Sequence, residues 1–238
     1  DSFRIIDITN KSNPVVVGGQ NLSLTNYSRC QGIATNNNYA FAVCNNLVTT
    51  AMYVINITDK TNPFVVSTTV LPMGAWRIQV KDKYAYIIGR NGGPTDQFRI
   101  YDVSNPSNPV AVGGSELDLG EGGWALDVIN DYAYLAAGGS FTTSFDDKLV
   151  ILDVSDKTNP TKVGGVLLTE SAANYIKVYG KYAFLSSWDN NIYIVDVASS
   201  TNPTLLNSHA VSGGPLTFAV YDNYIYTGHA PLPRDGNY

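Results

Sequence analysis

A landmark of alternating apolar residues ending in Asp or Asn recurs five times along the 238 residues, and an Asn-Pro pair follows each copy. A Tyr-rich segment recurs five times between them. Together these three regularities predict an all-β fold: a five-bladed β-propeller of four-stranded antiparallel blades.

The first landmark occupies Phe3–Thr9, Met52–Thr58, Phe98–Ser104, Leu149–Ser155 and Ile192–Ala198. Its acidic or amide position falls at Asp7, Asn56, Asp102, Asp153 and Asp196, and seven residues later stand Pro14, Pro63, Pro109, Pro160 and Pro203. The second landmark begins at Tyr39, Tyr84, Tyr132, Tyr182 and Tyr224. Spacing between successive copies of the first landmark runs from 43 to 51 residues, and loops absorb the variation.

Each unit reads as four strands. In the unit best delimited by turns, strands are expected at Trp124–Ile129, Tyr132–Ala137, Leu149–Val154 and Lys162–Leu167. The pairs Asn37-Asn38, Asp82-Lys83, Asn130-Asp131, Gly180-Lys181 and Asp222-Asn223 suit two-residue hairpin turns, because Asn, Asp and Gly tolerate positive φ. An Asp followed two residues on by Ser or Thr can cap the turn between the third and fourth strands. Proline lacks a ladder donor, so Asn-Pro marks entry into an edge strand and places the fourth strand outermost. The Tyr-Ala-aromatic strand alternates large and small residues, as interdigitating sheets require. Because these residues define the repeat, they read as scaffold rather than catalytic groups.

The units resemble the LVIVD repeat of bacterial and archaeal surface proteins. The resemblance rests on Leu149–Asp153 (Leu-Val-Ile-Leu-Asp), Ile192–Asp196 and Phe98–Asp102, with the trailing Asn-Pro. It implies a propeller at the cell surface and says little of function. Asn56 departs from the usual Asp, which argues against an obligatory metal role at that position.

The order of strands at the two ends bears on closure. Asp1 enters at a third strand, followed by a fourth at Val15–Gly18, while the far end supplies a first strand (Leu216–Tyr221) and a second (Tyr224–His229). Blades are expected at about 28–72, 75–117, 123–169 and 174–211, with a split blade made of 1–19 and 216–238, all in one domain spanning 1–238. Joining the terminal halves removes two unpaired edges. Three arrangements stay open: the halves close on each other, the chain belongs to a longer array, or the 1–19 hairpin completes a blade in a neighbouring copy.

Composition narrows the function. Net charge is −5, charged residues are 15%, and basic residues do not cluster, so a nucleic-acid partner is not expected. No apolar run approaches the roughly 18–20 residues of a membrane span. The chain starts at Asp1 without a signal-like segment, as a processed product or the ordered part of something longer would. Cys30 and Cys44 lie equally far from the turn at Asn37, which places them opposite each other on paired strands. A disulfide is geometrically reasonable there, and two buried thiols are the alternative. Sequons occur at Asn10, Asn21, Asn26 and Asn56 as candidate glycosylation sites. Low Lys content and a disulfide agree with an extracellular or cell-surface location.

No catalytic residue is assigned: nucleotide-binding, serine-hydrolase and zinc-protease motifs are missing, and His209 and His229 have no periodic partners. Loop carboxylates at Glu116, Asp118, Glu121, Asp146 and Asp147 read as solvated, with Asp146 and Asp147 as candidates for Ca²⁺, the one cofactor considered. The Gly18-Gly19, Gly113-Gly114 and Gly164-Gly165 pairs read as turn residues. Trp76, Trp124 and, at a similar place, Tyr175 suggest packing between blades; Trp188 and Tyr175 are the candidates for stacking on a glycan. Apolar outer strands (Val15–Val17, Phe64–Val66, Val110–Val112) carry few guarding charges other than Lys162, and unguarded edges favour pairing with another copy. The leading expectation is a non-enzymatic structural or interaction propeller that self-assembles into a layer or filament, with other copies or surface proteins as partners. The alternative is a glycan- or ligand-binding surface propeller.

Overall fold

Within the computed structural model, the residues described are 3–19, 22, 24, 29–45, 49–90, 97–114, 123–138, 148–168, 173–211 and 215–229. All regular structure among them is β. A hairpin of β1 (Ile5–Asp7) and β2 (Val15–Gly18) comes first. The first complete blade follows as β3 (Arg29–Asn36), β4 (Tyr39–Asn45), β5 (Thr50–Asn56) and β6 (Phe64–Leu71). The second is β7 (Gly74–Lys81), β8 (Tyr84–Arg90), β9 (Phe98–Asp102) and β10 (Val110–Gly113). The third is β11 (Gly123–Ile129), β12 (Tyr132–Ala137), β13 (Leu149–Asp153) and β14 (Thr161–Val166). The fourth is β15 (Ala173–Tyr179), β16 (Tyr182–Ser187), β17 (Asn191–Asp196) and β18 (Thr204–Ala210). A second hairpin, β19 (Pro215–Tyr221) and β20 (Tyr224–His229), ends the series.

Each complete blade is an antiparallel meander in chain order, so the Asn-Pro strand is an edge strand as its missing donor requires. The two hairpins remain separate two-stranded sheets, and no ladder joins them. The repeat therefore builds four complete four-stranded blades, each with a hairpin or blade packed on either side.

Local chemistry accounts for each turn. The first residue of each inner turn has positive φ: Asn37 (47°), Asp82 (53°), Asn130 (51°), Gly180 (62°) and Asp222 (53°). Asn and Asp are among the few non-glycine residues that adopt this region cheaply. At the outer turn, the backbone N–H of Thr9, Ser104 and Ser155 donates to Oδ1 of Asp7, Asp102 and Asp153 at 2.8 Å. Thr58 donates to Asn56, and Ala198 to Asp196, at 2.9 Å. The bond needs only an acceptor oxygen and a backbone donor, so Asn replaces Asp and Ala replaces Ser without loss. The side-chain hydroxyl of the Ser or Thr two residues on, and then its backbone N–H, hold the Asp7, Asp102 and Asp153 carboxyls below the usual range; at Asp196 the Ala198 backbone N–H does the same.

Bulges set the register within every blade. One residue is skipped on each inner strand: Gln31, Trp76, Trp124, Asn174 and Leu216. The residue equivalent to Trp76 and Trp124 is thus Asn174, not Tyr175, which stands one place later. A second skipped residue occurs on each outer strand: Val17, Val66, Val112, Val163 and Leu206.

The core lies between blades. One cluster joins Phe41, Val43, Met52 and Val54 of the first blade to Ile78, Ile87, Tyr101 and Val103 of the second. The second blade's Phe98 and Ile100 meet Leu135, Leu152 and Val154 of the third. The third blade's Leu149 and Ile151 meet Leu185, Val195 and Val197 of the fourth. Polar side chains stitch neighbouring inner strands where no strand ladder runs. Gln79 accepts from Val128 N–H at 2.8 Å and donates to its carbonyl at 3.3 Å. Buried Asp127 accepts from Val178 N–H at 2.8 Å and pairs with Lys177 at 3.0 Å.

The Gly-Gly pairs are more than turn residues. A Cβ on Gly18, Gly113 or Gly164 would lie about 2 Å from the carbonyl oxygen of Lys60, Lys157 or Ser200 in the next blade's outer turn. Glycine is required there by close backbone approach. Gly19 and Gly114 add positive φ.

Candidate functional site

The fourth seam, where the last hairpin meets the fourth blade, differs from the other three. At each of those, the bulged outer-strand Val and a third-strand aliphatic face two residues of the next blade's third strand. Val66 and Val54 meet Tyr101 and Val103; Val112 and Ile100 meet Leu152 and Val154; Val163 and Ile151 meet Val195 and Val197. In the fourth blade the same positions are Leu206 and Ile194. β19 and β20 cover only the inner half of that blade, through Phe218 against Tyr175 at 5.1 Å. The outer half opens into a groove of about 450 Å³, lined by Phe184, Ile194, Leu206, Val220, Tyr224 and Ile225 among others. Leu206 is 53% exposed there, whereas Val66, Val112 and Val163 are half-buried.

The N-terminal hairpin carries the complementary surface. One face is seated: Phe3 is buried and, with Ile5, packs against the first blade at Ala42, Ile55 and Ile57. Its other face is open. Ile6 is 53% and Ile8 65% exposed, against at most 8% for Ile55, Tyr101, Leu152, Val195, Ile57, Val103, Val154 and Val197 at the equivalent positions. The inner level repeats the pattern, since Ile33 on β3 is 58% exposed while its equivalent Ile78 is 7% exposed. Tyr224 and Tyr226, on β20, are exposed too. Edge residues Val15, Val16, Phe64, Val110 and Leu205 are likewise exposed on the outer strands.

The sequence-derived site residues fall in several places. Cys30 and Cys44 stand opposite each other on β3 and β4 and form a disulfide. Trp188 is exposed at the turn between β16 and β17, in edge contact with Trp124 at 6.0 Å; Trp124 in turn lies 5.1 Å from Trp76. Tyr175 is half-buried against Phe218, so it and Trp188 belong to different ring pairs. Asn10 is exposed, and its side chain accepts from Ser12 N–H at 3.1 Å. Asn56 is half-buried in its turn. Asn21, Asn26, Glu116, Asp118, Glu121, Asp146 and Asp147 lie outside the described residues. Among the described residues, no three His, Cys, Asp or Glu side chains gather as a metal would need, and no helix is long and apolar enough to cross a membrane. Sequence reasoning named the outer edges but missed the groove. Its signal was present in Leu206, Ile6 and Ile8, which keep apolar identity at repeat positions that the complete seams cover.

A family model described as the LVIVD repeat matches residues 1–21, 74–115, 123–167 and 171–211. It passes over 22–73, the unit with Asn56 and the disulfide, although that unit has the same four-stranded blade. No curated protein matches the chain. Among solved structures, the chain is similar to the computationally designed Ika4 protein, with TM-score 0.52 and 12% identity over 74% of this chain and 97% of that one. It is similar also to the computationally designed Ika8 protein, with TM-score 0.52 and 9% identity over 85% and 68%. At such identities the likeness speaks for the fold alone.

Proposed function

The chain belongs to the LVIVD repeat family, and from that premise we propose that it is a non-enzymatic propeller of the cell surface or extracellular space that assembles with other copies of itself. Its four complete blades are joined by a fifth, built from one β1–β2 hairpin and one β19–β20 hairpin. One observation carries this reading: apolar side chains that complete seams bury are exposed on both terminal hairpins and along the outer edges. Exposed apolar edges in register with unpaired backbone are templates for further strands. The recurring Asp, Asn-Pro and Tyr residues serve turns and packing, which leaves them no part in catalysis. The Cys30–Cys44 disulfide suits an oxidising compartment, and exposed Asn10 offers a glycosylation site there.

Light scattering across micromolar concentrations, with imaging of the particles, tests the reading. Species larger than one copy, as a layer or filament, are expected; a strictly monomeric protein overturns it. A second reading, glycan binding, is favoured by exposed Trp188 at the end of the Trp76–Trp124–Trp188 row. Loss of glycan-array binding on Trp188→Ala would support it, and an array without any binder would remove it.

A further inference from the structure

The groove of the fourth blade has a shape and chemistry that recur three times in the chain, and each time the same kind of segment fills it. The filler is a third-strand and fourth-strand pair carrying two apolar residues two apart. Within this chain β1–β2 is the one described hairpin of that type outside a complete blade, with Ile6 and Ile8 at the required positions. Its seated face engages the first blade, while the face that would enter the groove is open, and no ladder joins β1 to β20. The seam is open at the inner level as well, at Ile33 and Tyr226.

Resting on the self-assembling propeller proposed above, we infer that the groove of one copy receives the β1–β2 hairpin of a second copy, so that copies join head to tail. The contact continues the blade-to-blade interface already present within the chain, which is why the occupant is a copy of this hairpin rather than a foreign segment. The repeat also supplies its register. Every complete blade sets its second-strand Tyr opposite the third-strand Asp or Asn: Tyr39 with Asn56, Tyr84 with Asp102, Tyr132 with Asp153 and Tyr182 with Asp196. In each, the residue after that Asp or Asn donates its N–H to the second residue of the inner turn, at 2.8 Å: Ile57 to Asn38, Val103 to Lys83, Val154 to Asp131 and Val197 to Lys181. The shared blade therefore sets Tyr224 opposite Asp7 and Ile225 opposite Ile6, and Ile8 N–H donates to the Asn223 carbonyl. Main-chain bonds supply affinity and the Ile6/Ile8 pair supplies selectivity, as in strand addition generally. Each copy offers one groove and one hairpin, so the contact is heterologous and propagates.

Cysteine cross-linking of the full 238-residue chain tests this. Chains carrying Ile6→Cys and chains carrying Ile225→Cys are mixed and oxidised mildly. The expected product is a covalent dimer containing one chain of each kind, which closure within a single copy cannot produce. The double variant is expected to run as a ladder of oligomers on a non-reducing gel. A double variant that stays at the mass of one chain, less two hydrogens, overturns the inference: the hairpin then closes its own ring. If particles still form in that case, the assembly reading survives through the outer edges. Absence of any new cross-link in particles that still assemble also overturns the inference, and its absence in a strict monomer overturns both. Ile6→Asp with Ile8→Asp guards against misfolding of the cysteine variants. Both side chains are exposed in one copy, so the melting temperature of the dilute protein is expected to hold while particle size falls to one copy. Unchanged particle size overturns the inference.

Discussion

The seam between the third and fourth blades and the seam beside the fourth blade are made of equivalent positions, yet one is a core and the other a surface. Val195 and Val197 are buried; Ile6 and Ile8, at the same repeat positions, are more than half exposed. Val163 is half-buried, and its counterpart Leu206 lies open. The difference does not come from the side chains, which are aliphatic on both sides. It comes from which blade stands opposite. A propeller seam is a property of two sheets, so the same residue is worth several kcal/mol or almost nothing depending on its neighbour.

The largest break of this comparison is Leu152→Ala against Ile6→Ala. The first removes buried methyl groups at a complete seam and is expected to cost about 2–5 kcal/mol in urea unfolding. The second, in dilute protein, is expected to stay within about 0.5 kcal/mol. Equal costs would mean that the hairpin face is buried after all.

Next comes the disulfide. Replacing Cys30 and Cys44 by Ala opens a link between residues 14 apart, and is expected to cost about 3 kcal/mol. Thermal melting with and without reductant checks it. Since the bridge pins β3, at the open end of the inner ring, retention of the wild-type melting point would show that this edge is held by other contacts.

Close approach sharpens the comparison further. Gly113→Ala drives a Cβ to 2.1 Å from the Lys157 carbonyl across a complete seam, whereas on Gly228 of β20 the nearest atom is the Thr217 methyl at 3.4 Å. The Gly113 variant is expected to lose about 1–3 kcal/mol and the Gly228 variant much less. A Gly228→Ala change that lowers particle size without lowering the melting point would place that edge inside the shared blade.

The smallest effects are the turns and pH. Asp102→Ala is expected to cost about 1 kcal/mol, while Asp102→Asn is expected to be close to neutral, because Asn56 makes the same turn. The Asp7, Asp102, Asp153 and Asp196 carboxyls are held low by their turn bonds. Their stabilisation is therefore present above the ordinary carboxylate pKa and is lost as pH falls through the lowered values. Melting points are expected to drop below pH about 4, and less steeply for Asp102→Asn. At the alkaline end the sign reverses. Burial pushes the Tyr86 phenol up to about 12, so its stabilisation is complete below the ordinary value of 10.0 and fades between there and about 12. Ultraviolet titration of Tyr86→Phe against the parent chain is expected to remove a late-ionising phenol.

Much of the fold was legible in the chain itself. Alternation, Asn-Pro and turn pairs are local codes, so the strands of all four complete blades, the edge position of the fourth strand and the Cys30–Cys44 pairing could be read directly. The positions of Trp76, Trp124 and Tyr175 could not be equated in the same way. A bulge shifts register by one residue without a strict sequence mark, and it puts Asn174 where Tyr175 was expected. The role of Gly18, Gly113 and Gly164 was also hidden, because the atom each avoids belongs to a turn in the next blade, at Lys60, Lys157 and Ser200, far along the chain.

By itself the sequence determined the repeating strand pattern, the turns and the opposition of Cys30 and Cys44, since each depends on residues adjacent in the chain or paired across one hairpin. The tertiary structure decided which faces of those strands meet. It set blade against blade at three seams, placed the β1–β2 hairpin on the first blade, and left Leu206 and Ile194 facing a groove. Burial between sheets depends on the distance and rotation of whole blades, and no local run of residues encodes either.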